Sequence, residues 1–383
     1  MKYYIIAGEP SGDLHASNLI RELKKSDPDA RFRFWGGDKM QEQAGSPVKH
    51  IRETSFMGFR EVLINLPSVW KNIRFCKYDI LQYNPDALIL VDYPGFNLRI
   101  AKYATLKGIK VFYYISPKVW AWNRSRVRTI KKYIPHMLVI LPFEADFYKE
   151  YGYSVEYVGN PLIDSIKEYP YKDEDFDSFV SRNNLKEKPV ISLLPGSRRQ
   201  EIEKCLPVML KPAKRYPRFQ FVIAGAPSVD PSFYERFTMG HDVNIVFNQT
   251  YALLKHSRAA VVVSGTATME TALLGVPQVV CYRAGRLSYF LGRIIIKVPF
   301  ISLVNLIMQK EVVKELIQDE LNEEKLSEEL NRIIDNTPER KRMLDDYSEL
   351  SSLAGEGSPS KKAAKKIFTT ISQENHTQDI TQK

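Results

Sequence analysis

The 383-residue chain contains no run of about 18 consecutive apolar residues, so it offers no membrane-spanning helix. Cysteine is scarce: Cys76, Cys205 and Cys281 are scattered, odd in number and without C-x-x-C spacing. That excludes a disulfide framework and a cysteine zinc site and points to a reducing, cytoplasmic compartment. The opening MKYYIIAGEPSGD has one lysine and a short apolar run with no small-residue cleavage pattern after it, so it reads as a first strand and not a signal peptide. A G-x-G-x-x-G dinucleotide fingerprint, short repeats, low-complexity tracts and nucleic-acid-binding motifs are also missing. What is present is charge of one sign: a formal net charge of +10 and a pI near 9.2 call for an acidic partner. Nucleic acid, anionic phospholipid and a phosphorylated substrate all satisfy charge alone.

At 44% hydrophobic residues the chain is long enough for about two or three domains. Strand-length apolar runs alternate with helical periodicity, the signature of parallel sheets wrapped by helices. Strands are expected at 3–7, 32–35, 87–91, 111–115, 137–141 and 155–158, with a first helix over 14–24. A polar, charged stretch between Pro161 and Lys188 marks the linker. The pattern restarts at 190–194, 219–224, 244–247, 259–263 and 278–282. Past Lys310 the chain reads as helical. The expected domains are therefore 1–165 and 166–349, with a helix over about 350–372 able to return to the first domain and a disordered tail at 373–383. Two such open α/β domains put ligands at the carboxyl ends of their strands, and a cleft between them can take two substrates.

Four post-strand loops draw attention. GEPSGD sets Gly8, Ser11 and Gly12 between the first strand and helix, where backbone can approach a ligand closely or simply make a tight turn. VDYPGFN puts Asp92 at the mouth of a buried strand, as a proton acceptor for a substrate hydroxyl or as a loop brace. LLPGSRRQE and SGTATMETALLGVP each run from a buried strand through small residues into a helix. Unpaired N–H groups at such helix starts suit a diphosphate, with Ser197, Arg198, Gly265 and Thr266 in place to hold it. Glu270 is a candidate ribose acceptor or a capping-box partner of Thr266. The segment ISPKVWAWNRSRVRTIKK joins Trp120 and Trp122 to Lys118, Arg124, Arg126 and Arg128, a basic cluster fit to face an anion. D-x-D spacings at Asp27/Asp29, Asp173/Asp175 and Asp175/Asp177 lie away from strand ends and read as solvated acid.

GEPSGD, MGF with EVL over 57–63, VDYPGFN, SPKVWAW, LPFE over 141–144, LLPGSRRQE and SGTATMETALLGVP stand in an order and spacing that resemble the lipid-A-disaccharide synthase family, from about residue 3 to about residue 355. The resemblance implies two tandem doubly wound, Rossmann-like domains of GT-B type. It implies inverting transfer, without metal or cofactor, of 2,3-diacylglucosamine from its UDP ester to 2,3-diacylglucosamine 1-phosphate, giving a β-1,6 disaccharide and UDP. Asp92 would be the base, Arg198 would hold the diphosphate, and Ser197 and the Gly265-Thr266 turn would donate backbone N–H groups. Glu270 would take the ribose and Asn305 would stand near the nucleotide. The chain departs from the family in three places. Val304 replaces a common proline before Asn305, Gly95 replaces a second aspartate, and GNP at 159–161 replaces a histidine-containing version.

Acyl substrates imply attachment to an anionic membrane surface, on the cytoplasmic face of the inner membrane, and a homodimer is compatible with the family. Residues 56–75 and the stretch from Arg286 to Phe300 are greasy and basic enough to lie among headgroups, or else to form domain-core helices. The competing assignments are another two-domain UDP-sugar enzyme, of the UDP-N-acetylglucosamine 2-epimerase or muramyl-lipid glycosyltransferase type, and a non-catalytic lipid-binding protein.

Overall fold

A computed structural model describes residues 1–54, 66–285, 289–290, 298–355 and 357–381. The chain divides into two compact units, Met1–Ser165 with Ala354–Lys383, and Ile166–Leu353.

The first unit is built on a parallel sheet whose strands are β1 (Lys2–Ala7), β2 (Arg31–Gly36), β3 (Lys49–His50), β4 (Ala87–Val91), β5 (Lys110–Tyr114), β6 (His136–Val139) and β7 (Glu156–Tyr157). Their order is β3-β2-β1-β4-β5-β6-β7. β4, ALILV, is buried at every position, as a central parallel strand covered on both faces must be. Helix Pro10–Ser26 packs Ala16, Leu19, Ile20 and Leu23 onto the sheet together with Ala363, Ala364, Ile367 and Ile371 of the last helix, Pro359–Thr381. That last helix starts later and runs further than sequence suggests. Its Glu374 pairs with Lys110 at 3.4 Å and His136 at 3.3 Å, which ties down a stretch expected to be disordered from 373.

The second unit repeats the plan with β8 (Val190–Leu194), β9 (Gln220–Gly225), β10 (Val243–Phe247), β11 (Ser257–Val263), β12 (Gln278–Tyr282) and β13 (Lys314–Ile317), in the order β10-β9-β8-β11-β12-β13. All pairs are parallel. The polar stretch after Pro161 is more than a linker: helix Phe176–Arg182 sends fully buried Phe179 into the core beside Val190, Leu253 and Val262. Past Lys310 the chain is not all helix. β13, KELI, is an edge strand with one buried side chain, and its charged residues hide the period-two pattern. β3, two residues long, was equally hidden.

Candidate active site

In each sheet the strand order reverses once, between β1 and β4 and again between β8 and β11. Crevices at such reversals are where open α/β sheets take their ligands. The four loops singled out in the sequence are the four that leave these strands. GEPSGD and VDYPGFN follow β1 and β4; LLPGSR and SGTATME follow β8 and β11.

In the first unit Ala7 pairs with Val91, so Gly8 and Asp92 emerge side by side. Asp92 and Tyr93 both adopt left-handed backbone, φ 45° and 49°, and just past the end of β5 β-branched Ile115 does so at φ 68°. Three such residues at adjoining strand ends are backbone strain gathered at one place. The surroundings hold it. The Asp92 carbonyl accepts from the Tyr113 hydroxyl at 2.5 Å and from Asn97 Nδ2 at 2.8 Å, and the Asp92 amide donates to the Tyr114 carbonyl at 3.1 Å. Asn97 therefore braces the loop from inside helix Pro94–Leu106. Burial raises the Asp92 carboxyl to about 6; Lys118 opposes the rise and Glu9 adds to it. A carboxylate titrating there is charged at neutral pH yet basic enough to accept a proton.

Gly8 is demanded by space: a Cβ there would clash with Cγ and Cδ1 of the Tyr93 ring. Gly12 is not, since its nearest neighbour would be the Ala7 Cβ at 3.5 Å. The first helix begins at Pro10, four residues earlier than its apolar periodicity suggests, so Ser11 and Gly12 form its first turn, Ser11 exposed and Gly12 buried. The last residue of the motif was not singled out by sequence. Asp13 is buried and accepts from the amides of Gly37 (2.6 Å), Lys39 (3.0 Å) and Met40 (3.1 Å), capping helix Asp38–Ala44. At Gly95 nothing lies within 4 Å of a would-be Cβ, so the position has room for a side chain.

The SPKVWAW segment leaves β5 beside Asp92, because Tyr114 pairs with Val91. Trp120 is core: its indole N–H donates to Glu144 at 3.1 Å and its ring meets Phe143 edge-on. Glu144 also accepts the Ile140 and Leu141 amides, at 3.2 and 3.0 Å, and burial lifts its carboxyl to about 7. Trp122 is exposed, with Arg126 stacked on it.

In the second unit the two helix starts differ. At the first, the amides of Ser197 and Arg198 already donate to the Glu201 carboxylate, at 3.1 and 3.3 Å. Gly196, at φ 105°, makes the close approach possible, since a Cβ there would overlap Glu201. The Arg198 guanidinium is 3.7 Å from the same carboxylate and more than half exposed. At the second, Gly265 and Thr266 are exposed, Thr268 folds its hydroxyl onto the Gly265 carbonyl at 2.8 Å, and the first-turn amides of Thr266 and Ala267 have no intrahelical partner. Glu270, one turn in, accepts from the Tyr251 hydroxyl at 2.8 Å, and burial raises its carboxyl. It is not a capping-box partner of Thr266. Tyr251, outside every motif, gave no signal in the sequence.

Asn305 is fully buried and its amide is saturated. Nδ2 donates to the Val313 carbonyl and to Glu315, both at 2.9 Å, and Oδ1 accepts the amides of Val312 (2.8 Å) and Val313 (3.0 Å). No hydrogen-bonding capacity is left for a nucleotide, so direct contact gives way to support of the loop. Glu315 in turn accepts the Ile301 and Ser302 amides, and Ser264 donates to the Ile301 carbonyl at 2.7 Å. These hydrogen bonds tie the 301–315 loop to the SGT turn and to helix Leu303–Met308, in which Val304 is buried.

Of the acidic pairs, Asp27 departs from the solvated reading: it is buried and accepts from the Tyr3 hydroxyl at 3.2 Å. Asp173, Asp175 and Asp177 are exposed, and Asp175 caps helix Phe176–Arg182 through the Ser178 amide at 2.7 Å. Among the described residues no group of three His, Cys, Asp or Glu side chains is placed to hold a metal ion. The MGF and EVL segment over 57–63 lies outside the described residues.

A family model described as lipid-A-disaccharide synthetase matches residues 3–368. The lipid-A-disaccharide synthase of Myxococcus xanthus is 39% identical over 96% of this chain and 97% of its own length; that of Syntrophus aciditrophicus is 37% identical over the same shares. Among solved structures, a UDP-GlcNAc 2-epimerase from Neisseria meningitidis bound to UDP-GlcNAc superposes with a TM-score of 0.65 at 15% identity, covering 97% of this chain and 100% of that one. The Methanocaldococcus jannaschii UDP-GlcNAc 2-epimerase in complex with UDP-GlcNAc and UDP gives 0.65 at 14% identity, with the same shares. These likenesses show a common fold of two Rossmann-like domains.

Proposed function

This chain belongs to the lipid-A-disaccharide synthase family, the glycosyltransferases of lipid A biosynthesis, and from that premise we propose how its residues share the reaction. The substrates are UDP-2,3-diacylglucosamine and 2,3-diacylglucosamine 1-phosphate. Asp92 takes the proton from the acceptor's 6-hydroxyl as that oxygen attacks the anomeric carbon of the donor from the face opposite UDP. The new bond is β-1,6, the sugar–phosphate bond breaks with its electron pair, and UDP leaves.

Departure of UDP builds charge on the diphosphate. The amides of Thr266 and Ala267, those of Ser197 and Arg198 once Glu201 yields them, and the Arg198 guanidinium stabilise that charge without a metal in the proposed scheme. Glu270, oriented by Tyr251, receives the ribose hydroxyls. Asn305 acts as a positioning residue through Glu315 and Ser264. The observation that carries the reading is Asp92 itself: a carboxyl raised to about 6, on strained backbone, at the point where its sheet reverses order.

Among the described residues no helix is long and apolar enough to cross a membrane. Helix Leu66–Tyr83 turns exposed Trp70, Phe75, Tyr78 and Leu81 outward beside Lys71 and Arg74, while Ile73, Cys76 and Ile80 are buried. This face supports attachment to an anionic bilayer surface, where the acylated substrates reside. Ile73, counted with the greasy stripe on sequence, belongs to the core.

The test is an assay of the purified protein with both substrates, with and without a chelator. Disaccharide and UDP released in equal amounts, chelator or not, support the scheme. No product would sink the transferase reading, and loss of activity on chelation would sink the metal-free step alone.

A further inference from the structure

Among the described residues Lys118, Arg124, Arg126 and Arg128 make no ion pair. The ion pairs of their unit are made by other cations, among them Arg33 with Asp79, Lys110 with Glu374 and Lys366 with Glu156. None of the four side chains donates a hydrogen bond among the described residues. Yet two of the guanidiniums lie over aromatic rings: Arg124 stands 5.8 Å from the centre of the Phe147 ring and Arg126 4.6 Å from that of Trp122. Stacking immobilises a guanidinium while leaving its planar N–H edge open, which is how an arginine is readied for a phosphate or carboxylate.

Their place in the fold narrows the ligand. The segment carrying them leaves β5 beside Asp92, the short helix Val119–Trp122 and the turn Arg124–Arg126 following directly. Lys118 lies near enough to Asp92 to favour its charged form. An acceptor whose 6-hydroxyl reaches Asp92 carries its phosphate on the anomeric carbon, at the other end of the same sugar ring. We propose that Arg124 and Arg126, with Lys118 of the same segment, form the subsite for the acceptor's phosphomonoester. This rests on the reading of Asp92 as the base on the acceptor side. A bilayer phospholipid presents the same phosphate chemistry, so the experiment separates the two sources.

The protein and its Arg124→Gln/Arg126→Gln double variant are compared on a short-acyl 2,3-diacylglucosamine 1-phosphate in detergent and on the same sugar without its phosphate. The expected result is an acceptor KM raised roughly tenfold or more for the double variant, as befits two lost charge-assisted contacts. Preference for the phosphorylated sugar shrinks by the same factor, with UDP affinity and the thermal midpoint unchanged. An unchanged KM and an intact preference would overturn the subsite. So would a loss confined to sedimentation with phosphatidylglycerol vesicles and absent with phosphatidylcholine, which would assign the arginines to the bilayer. Binding of the phosphorylated acceptor without donor separates this inference from the transferase reading. Binding weakened by the substitutions in a protein that makes no disaccharide keeps the subsite and sinks the transferase, whereas unchanged binding in an active enzyme does the reverse.

Discussion

The backbone amide of Ser197 donates to the side chain of Glu201, so the proposed diphosphate cradle already holds an anion that belongs to the protein. A diphosphate entering there meets a like charge and a donor already in use. Glu201→Gln keeps an oxygen for the amides and removes the charge. UDP should bind this variant about fivefold more tightly, the effect of relieving roughly 1 kcal/mol of repulsion at a partly exposed site. Titration calorimetry with UDP checks it; weaker binding would mean that the carboxylate shapes the turn more than it competes for it.

Gly8 and Gly12 share one motif but face different space. Gly8→Ala drives a methyl into the Tyr93 ring beside Asp92, and disaccharide formation should fall at least tenfold as the loop shifts. Gly12→Ala, in a helical first turn with room for the methyl, should keep full activity and unfold at the same temperature or higher. Equal losses in the two variants would show that the motif acts as a unit.

Because burial raises Asp92 to about 6, kcat/KM should fall below pH 6 with the fraction of charged carboxylate. Lys118→Met removes the cation that opposes this rise and should move the acid limb to higher pH. The same shift fixes a sign for stability. A carboxyl raised on folding holds its proton more tightly in the native state, so its charging opposes folding. The penalty is absent below the reference value of 3.8, grows between 3.8 and about 6, and is complete above. Asp92→Asn should therefore raise the thermal midpoint at pH 7.5 and leave it nearly unchanged at pH 4.

Asn305 satisfies two loop amides and one carbonyl from a fully buried position. Asn305→Ala strands those groups and should lower stability by about 2–5 kcal/mol in urea unfolding. A loss of UDP affinity with no loss of stability would instead place the side chain on the nucleotide.

The strands legible in the sequence were those buried on both faces, such as ALILV and VISLL, where every residue is apolar and the boundaries follow. Charged edges such as KELI were not legible, because an edge strand needs few apolar residues. Small residues at strand ends revealed the loops of the site, since tight turns restrict composition. Partnerships did not show. Tyr251 with Glu270, Tyr113 with the Asp92 carbonyl and Asp13 with three amides at the start of another helix join residues 19 to 27 positions apart, and no local pattern records them. The same distance effect hid the role of Asn305, whose amide is consumed by a loop that begins seven residues later.

The central claim is that Asp92 is the base on the acceptor hydroxyl, and the direct measurement is kcat for disaccharide formation by Asp92→Asn beside its UDP dissociation constant. The account predicts a fall in kcat of about 10²–10⁴ with UDP binding unchanged. A variant that turns over at the wild-type rate, or one that loses UDP binding along with activity, would contradict it.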